Sequence, residues 1–139
     1  MRAVIQTVTG ARVTVEGAEV GAVGRGLLVL LGVTHDDTAA TAATMARKIH
    51  ELRLWDDRSA AELGLPVLLV SQFTLYGDAR RGRRPSWAAA APAAAAAPLV
   101  EACAAALRAR GAEVATGRFG AHMQVSSTND GPRTIILDV

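Results

Sequence analysis

Cys103 is the only cysteine in 139 residues, which excludes an intrachain disulfide and a cysteine metal cluster. Set among alanines in a predicted helix, it reads as a small buried hydrophobe. Lysine is equally scarce. Lys48 is the only one among 15 basic residues, and the formal net charge is +2. So mild a balance permits contact with nucleic acid without requiring it. The longest strongly apolar run, Leu27 to Val33, is far too short to span a bilayer. The first residues alternate as a strand does and lack the layout of a secretory leader, so a cytoplasmic location and no membrane partner are expected. His35, His50 and His122 lack metal-ligand spacing; each reads as a surface or satisfied histidine. There is no Gly-x-Ser-x-Gly elbow and no Walker A loop. Gly21, Gly24 and Gly26 lack the strand-to-helix setting of a dinucleotide site. Neither a metal nor another cofactor is expected.

What remains is a chain that is half hydrophobic. Its length suits one domain, here residues 1–139, burying roughly two-thirds of its unfolded surface. Arg2 to Val8 alternates and is β-branched, predicting a strand. Arg12 to Val15 and Glu19 to Val23 predict a hairpin turning at Glu16-Gly17-Ala18. Leu27 to Val33 and Val67 to Val70 are apolar on both faces, as in covered central strands. Asp36 and Asp37 precede a helix whose inner face is Ala42, Met45, Ala46, Ile49 and Leu52. Asp56 to Leu65 reads as a loop. The alanines from Ala88 to Ala97 favour helix, with Pro92 near its start and Pro98 expected to kink or restart it. Gly111 is a natural helix terminator. Glu113 to Thr116, Met123 to Thr128 and Arg133 to Val139 predict three further strands. Together these elements predict a mixed-sheet α/β domain, strand-rich with two main helices.

Two segments concentrate polar groups where chemistry is usually found. Ser71, Gln72, Phe73, Thr74 and Gly77 follow a buried strand, and strand ends are where α/β proteins place ligands. The ordinary alternative is a strand exit whose hydroxyls bond the local backbone. Asn129-Asp130-Gly131-Pro132 reads as a tight turn between strands. A Gly-Pro bond can also be cis, and glycine lets backbone approach a ligand closely. The polar stretch from Asp78 to Pro85 carries Arg80, Arg81, Arg83 and Arg84, either a solvated loop or a phosphate-contacting one.

Ser71-Gln72-Phe73-Thr74-Leu75-Tyr76-Gly77 with Asn129-Asp130-Gly131-Pro132-Arg133-Thr134 resembles the two signature segments of the D-aminoacyl-tRNA deacylases. The likeness is collinear over essentially the whole chain. It includes Met1 to Gln6, Gly26 to Val33, Gly82 to Ser86 and Thr116 to Ala121. It implies a three-layer α/β/β fold and a homodimer with a site at each subunit interface. It implies hydrolysis of the ester between a D-amino acid and the tRNA 3′-terminal ribose, as chiral proofreading in translation. Glycyl-tRNA, which has no side chain to reject, is implied as a further substrate. Phe73 and Thr74 are then the catalytic pair, through backbone N–H groups at an oxyanion site. Thr74 has been considered a nucleophile in the family, but no His-Asp pair beside it is evident, which favours a positioning role. Ser71, Gln72, Asn129, Gly131 and Pro132 would bind substrate, the last two reaching into the partner's site. Arg83 and Arg84 would contact tRNA, and no DNA partner is implied.

Three departures from the family pattern stand out. The Asp56–Leu65 loop is short and lacks a Lys-Met-Asn element. Thr7 replaces an arginine, and Arg133 replaces a valine. The family arginine helps hold a cis Gly-Pro turn, and threonine is too short to reach as far. The expectation is that Gly131–Pro132 is cis here, with the Arg133 guanidinium partly substituting by donating to backbone carbonyls. The plainer alternative is that Arg133 points to solvent. Two other functions stay open: an editing hydrolase with altered stereochemical choice, and an RNA-binding module with a dead site.

Overall fold

The computed structural model describes residues 1–80 and 82–139; Arg81, one of the four loop arginines, lies outside them. Strand β1 spans Arg2–Val15, a single strand where two are predicted. Its ladder with the last strand is irregular between Val8 and Gly10, so one residue is added and the alternation changes face. Ala3 and Ile5 enter one core, while Val8, Ala11 and Val13 enter a second on the opposite side. The strand then turns through Glu16 and Gly17, both at positive φ (51° and 80°), the geometry of a two-residue hairpin. It continues as β2, Ala18–Val23.

The centre of the sheet is β3 (Gly26–Gly32), antiparallel to β1 and parallel to β6 (Val67–Ser71). Strand β7 (Val114–Thr116) extends it beyond β6. Leu27, Val29 and Leu31 face the helices; Leu28, Leu68 and Val70 face the other core. Helix α1 (Ala39–Glu51) and helix α3 (Ala93–Ala109) cover the first face. Strand β2 lies across the second. An added Cβ on Gly21 would fall 2.4 Å from the Thr116 carbonyl oxygen, so only glycine permits this approach. Helices, sheet and the overlying β layer give the expected strand-rich α/β/β architecture.

Several local expectations need correction. Helix α1 has no acidic residue in its first turn; Thr38 caps it, in a reciprocal capping box with Thr41. Asp37 instead accepts from the Thr34 N–H at 2.7 Å and pairs with the Met1 amino group at 2.5 Å. The Asp56–Leu65 stretch is ordered. It joins β4 (Arg53–Trp55) to β5 (Arg58–Ser59) and contains the one-turn helix α2 (Ala60–Leu63). Capping by Ser59 and Glu62 supplies its order. Helix α3 starts only at Ala93, because the residue before Pro92 is biased to extended backbone. Ala88 to Ala91 are also tied to β3 and its exit: Ala91 N–H donates to the Val33 carbonyl, and the Thr34 hydroxyl to the Ala89 carbonyl. The helix then runs unbroken through Pro98, neither ending nor restarting there. Cys103 is fully buried within it, and burial pushes its thiol up to about 12.

The last strand differs most. Gln124–Asp138 forms one strand, β8, along the edge of β1 not used by β2 and β3. Gln6 lies opposite Thr134, but Val8 lies opposite Asn129. The signature is therefore an outward bulge within a strand, not a turn between two. The Gly131–Pro132 bond is trans, against the cis expectation. Trans is intrinsically favoured by about 0.5–1 kcal/mol, and the local contacts hold this bulge by other means, described below.

Candidate active site

Strand β6 ends at Ser71, and the Gln72 N–H donates to the Leu31 carbonyl at 2.8 Å. The chain then winds into a 3₁₀ turn, Phe73–Tyr76, closed by the Gly77 N–H on the Thr74 carbonyl at 2.9 Å. The turn sits tightly on β3. A Cβ on Gly32 would stand 3.1 Å from the Gln72 carbonyl oxygen and 3.2 Å from both Leu75 and Tyr76. Opening a 3₁₀ turn leaves its first N–H groups without internal partners. Among the described residues, the N–H groups of Phe73 and Thr74 have no acceptor. Both residues are exposed.

These donors stand beside a cleft of about 490 Å³. Ser71, Gln72 and Phe73 form one side. The start of α3, through Ala93, Ala96 and Val100, forms a second, and the segment Phe119 to Met123 a third. The walls are largely apolar, and Phe73 and Phe119 stay substantially exposed (56% and 41%). The cleft can therefore take a flat, partly apolar group and hold its polar end at the turn. The Gln72 side-chain amide donates to the Thr74 hydroxyl. An amide is not a base, so this neighbour orients Thr74 without activating it. His35 has one ring nitrogen bonded to the Ala88 carbonyl at 2.8 Å. Among the described residues no three His, Cys, Asp or Glu side chains gather into a metal-ligating cluster.

The wall from Phe119 to Met123 lay outside the residues chosen from sequence. His122, read as a surface histidine, is exposed but lines the cleft. The available signal was the block from Thr116 to Ala121, which resembled family positions without a role attached.

Asn129, Gly131 and Pro132 are not in this cleft. They form a second group where β8 bulges from β1. Fully buried Thr7 donates its hydroxyl to the Asp130 carbonyl. The Asn129 amide donates to the Thr7 carbonyl at 2.7 Å and to the Arg133 carbonyl at 3.2 Å. Thr7 does not reach the Gly-Pro unit, as its length implies, but anchors the bulge one residue earlier, at Asp130. Arg133 folds back over Gly131, its Nη1 only 2.7 Å from where a Cβ would stand. Gly131, at φ 115°, admits no other residue type easily. Among the described residues the Arg133 guanidinium donates to no carbonyl, so the expected fork is not formed; the half-buried side chain instead packs on Gly131.

In the arginine loop, Arg80 is bound to Asp78 at 2.7 and 2.9 Å. These bonds hold the Asp78 carboxyl far below its usual range. Arg83 and Arg84 are exposed and make no ion pair among the described residues. Beneath the turn, Arg2 makes two bonds to Asp138, donates to the Leu75 carbonyl at 3.3 Å and lies 5.4 Å from the Tyr76 ring centre. Burial, reinforced by the Asp37 charge, pushes the Tyr76 phenol up to about 12.

Fold and site together define a class: a strand-rich α/β/β protein with a polar turn at a strand end, beside an apolar cleft. Comparison with known proteins narrows it. The family model described as D-Tyr-tRNA(Tyr) deacylase matches residues 4–138. The chain is 64% identical to a D-aminoacyl-tRNA deacylase of Acidothermus cellulolyticus, over 100% of this chain and 99% of that protein. It is 65% identical to a D-aminoacyl-tRNA deacylase of Kineococcus radiotolerans, over 99% of each. A solved structure of a c-Myc DNA unwinding element binding protein superposes with a TM-score of 0.93 at 39% identity, covering 100% of this chain and 99% of that one. A probable eukaryotic D-amino acid tRNA deacylase superposes with a TM-score of 0.89 at 18% identity, over 99% and 98%, a likeness of fold alone. The chain belongs to the D-Tyr-tRNA(Tyr) deacylase family.

Proposed function

We propose that the protein hydrolyses the ester joining a D-amino acid to the 3′-terminal ribose of tRNA. The observation that carries this reading is the pair of N–H groups at Phe73 and Thr74 that have no acceptor among the described residues, on a turn whose Phe73 lines an apolar cleft. The ester is already activated, so the chief task is to stabilise the tetrahedral oxyanion and admit a water. The Phe73 and Thr74 N–H groups receive the developing negative charge. Water adds to the carbonyl carbon, the ester C–O bond breaks, and the ribose oxygen leaves with a proton. Thr74, held by Gln72, positions the reacting group and is not acylated. Ser71, Gln72 and Phe73 border the terminal adenosine, with Phe73 offering a stacking face. Arg83 and Arg84 meet acceptor-end phosphates.

Asn129, Gly131 and Pro132 lie away from the cleft of their own chain, which supports a site completed by a second copy. Among the described residues the outer edge of β8 is unpaired, and its Ile136 is 69% exposed. A two-fold dimer placing Gly131-Pro132 in the partner's cleft uses this face. There the backbone excludes an L side chain, while glycyl-tRNA passes. A cytoplasmic setting follows from such a substrate.

Thr7, Arg133 and the trans Gly131–Pro132 bond favour a second reading, an editing deacylase with relaxed stereochemical choice. Hydrolysis assays on D-tyrosyl-, L-tyrosyl- and glycyl-tRNA separate the two. Release from the D ester with the L ester spared supports the first reading, and equal rates on both support the second. No release from any of the three leaves only an RNA-binding protein.

A further inference from the structure

We propose that Trp87 is a positioning residue for this reaction, fixing the aim of the Phe73 and Thr74 N–H groups. The proposal rests on the deacylase reading above. Trp87 touches both ends of the 3₁₀ turn. Its ring meets Phe73, which opens the turn, edge to face, with centroids 5.5 Å apart and planes at 72°. It also lies on Gly77, which closes the turn. A Cβ at Gly77 would stand 2.5 Å from Trp87 Cζ3 and 3.1 Å from Cε3. The ring thus fills the space a side chain at 77 would need. The same imagined Cβ would stand 3.0 Å from the Thr74 carbonyl oxygen, so ring, glycine and turn carbonyl share one tight contact.

The backbone that carries the ring is held firmly. Just before it, Ser86 and Asp78 exchange two backbone hydrogen bonds of 2.8 Å. The Trp87 carbonyl accepts from the Ala90 N–H at 2.9 Å. The Ala88 and Ala89 carbonyls that follow are bonded to the side chains of His35 and Thr34. Phe73 and Thr74 are exposed, so the start of the turn has little other packing to hold it. Trp87 supplies it. It does so without itself lining the cleft, and meets that surface only through the edge of Phe73.

Displacement of a catalytic group by about 1 Å can cost on the order of a hundredfold in rate. Trp87→Ala is therefore expected to lower kcat about tenfold to a hundredfold while KM changes by less than about threefold. Trp87→Phe keeps an aromatic edge and is expected to stay within about threefold of the parent kcat. Trp87→Leu keeps apolar bulk without that edge and is expected to behave like the alanine variant. Single-turnover and steady-state deacylation of D-tyrosyl-tRNA give these values, with thermal unfolding run alongside. A Trp87→Ala enzyme with parental kcat overturns the proposal, and so does a loss confined to KM. Should the alanine variant not fold, Phe and Leu variants of equal kcat overturn it. If the parent protein itself releases nothing from any aminoacyl-tRNA, it is the deacylase reading that fails.

Discussion

Replacing Thr7 with valine changes little except one hydrogen-bond donor. Thr7 is fully buried and its hydroxyl donates to the Asp130 carbonyl, the residue that begins the outward bulge of β8. Valine retains the branched shape that suits a strand. The backbone contacts of Thr7, including its carbonyl bond from the Asn129 amide, are kept. What is lost is the hydroxyl, leaving the partly buried Asp130 carbonyl without that partner. An unsatisfied buried polar group costs about 1–3 kcal/mol. Asp130 is only half-buried, so about 1–2 kcal/mol is expected. Urea unfolding at neutral pH measures it, with a lower midpoint and an unchanged slope. Thr7→Ser is the matching control, since it keeps the donor and loses a buried methyl at about 1 kcal/mol. If the hydroxyl anchors the bulge, Thr7→Val also alters the ratio of D- to L-aminoacyl-tRNA cleavage, and Thr7→Ser leaves it unchanged. A Thr7→Val protein within about 0.5 kcal/mol of the parent, with the same ratio, would refute the anchoring role.

Thr74→Ala is expected to retain measurable deacylation, because the oxyanion donors are backbone groups; near-complete loss in a pre-steady-state assay would instead mark Thr74 as the nucleophile. Replacing both Arg83 and Arg84 with alanine should raise KM for aminoacyl-tRNA and flatten its dependence on salt, read from KM at several ionic strengths. An unchanged slope would return that loop to solvent. Burial, aided by the Arg110 charge, lowers the His50 pKa from 6.5, so the folded protein takes up that proton less readily than the unfolded chain. His50 therefore costs nothing above about pH 6.5 and destabilises the fold as pH falls through and below that value. A His50→Gln protein should show a shallower fall in urea midpoint between pH 7.5 and 5, and parallel curves would rule the linkage out.

The covered central strands were legible because their apolar runs have no polar face. β3 and β6 appear close to where Leu27–Val33 and Val67–Val70 predict them. Helix α1 was legible from its 3.6-residue stripe, and Ala42, Met45, Ala46 and Ile49 are all buried. The alanine-rich segment was less so. Propensity favours helix throughout it, yet Ala88 to Ala91 are claimed by hydrogen bonds to Val33, Thr34 and His35, partners more than 50 residues away in sequence. Likewise Asp56 and Asp57 take positive φ values (45° and 64°) that composition does not reveal, and they turn an apparent loop into a small hairpin.

The two halves of the candidate site were unequally legible for a related reason. Ser71 to Gly77 act through the end of one strand and the turn that follows it, so their arrangement is mostly local, and the sequence block and the geometry coincide. Asn129 to Arg133 depend on register against β1. The pattern Asn-Asp-Gly-Pro signals a turn, and nothing local says that the strand on either side continues. What decides it is Val8 lying opposite Asn129 while Gln6 lies opposite Thr134, an offset that forces the intervening residues outward. Thr7 sits inside that offset, where its short hydroxyl reaches Asp130. Seen alone, Thr7 is the loss of an arginine and Arg133 the gain of one. In register, they lie at one bulge, where Arg133 packs on Gly131 and Thr7 binds Asp130. The two departures thus meet at the one segment proposed to judge the amino acid's handedness, which is why the D/L ratio is the measurement that most directly tests them.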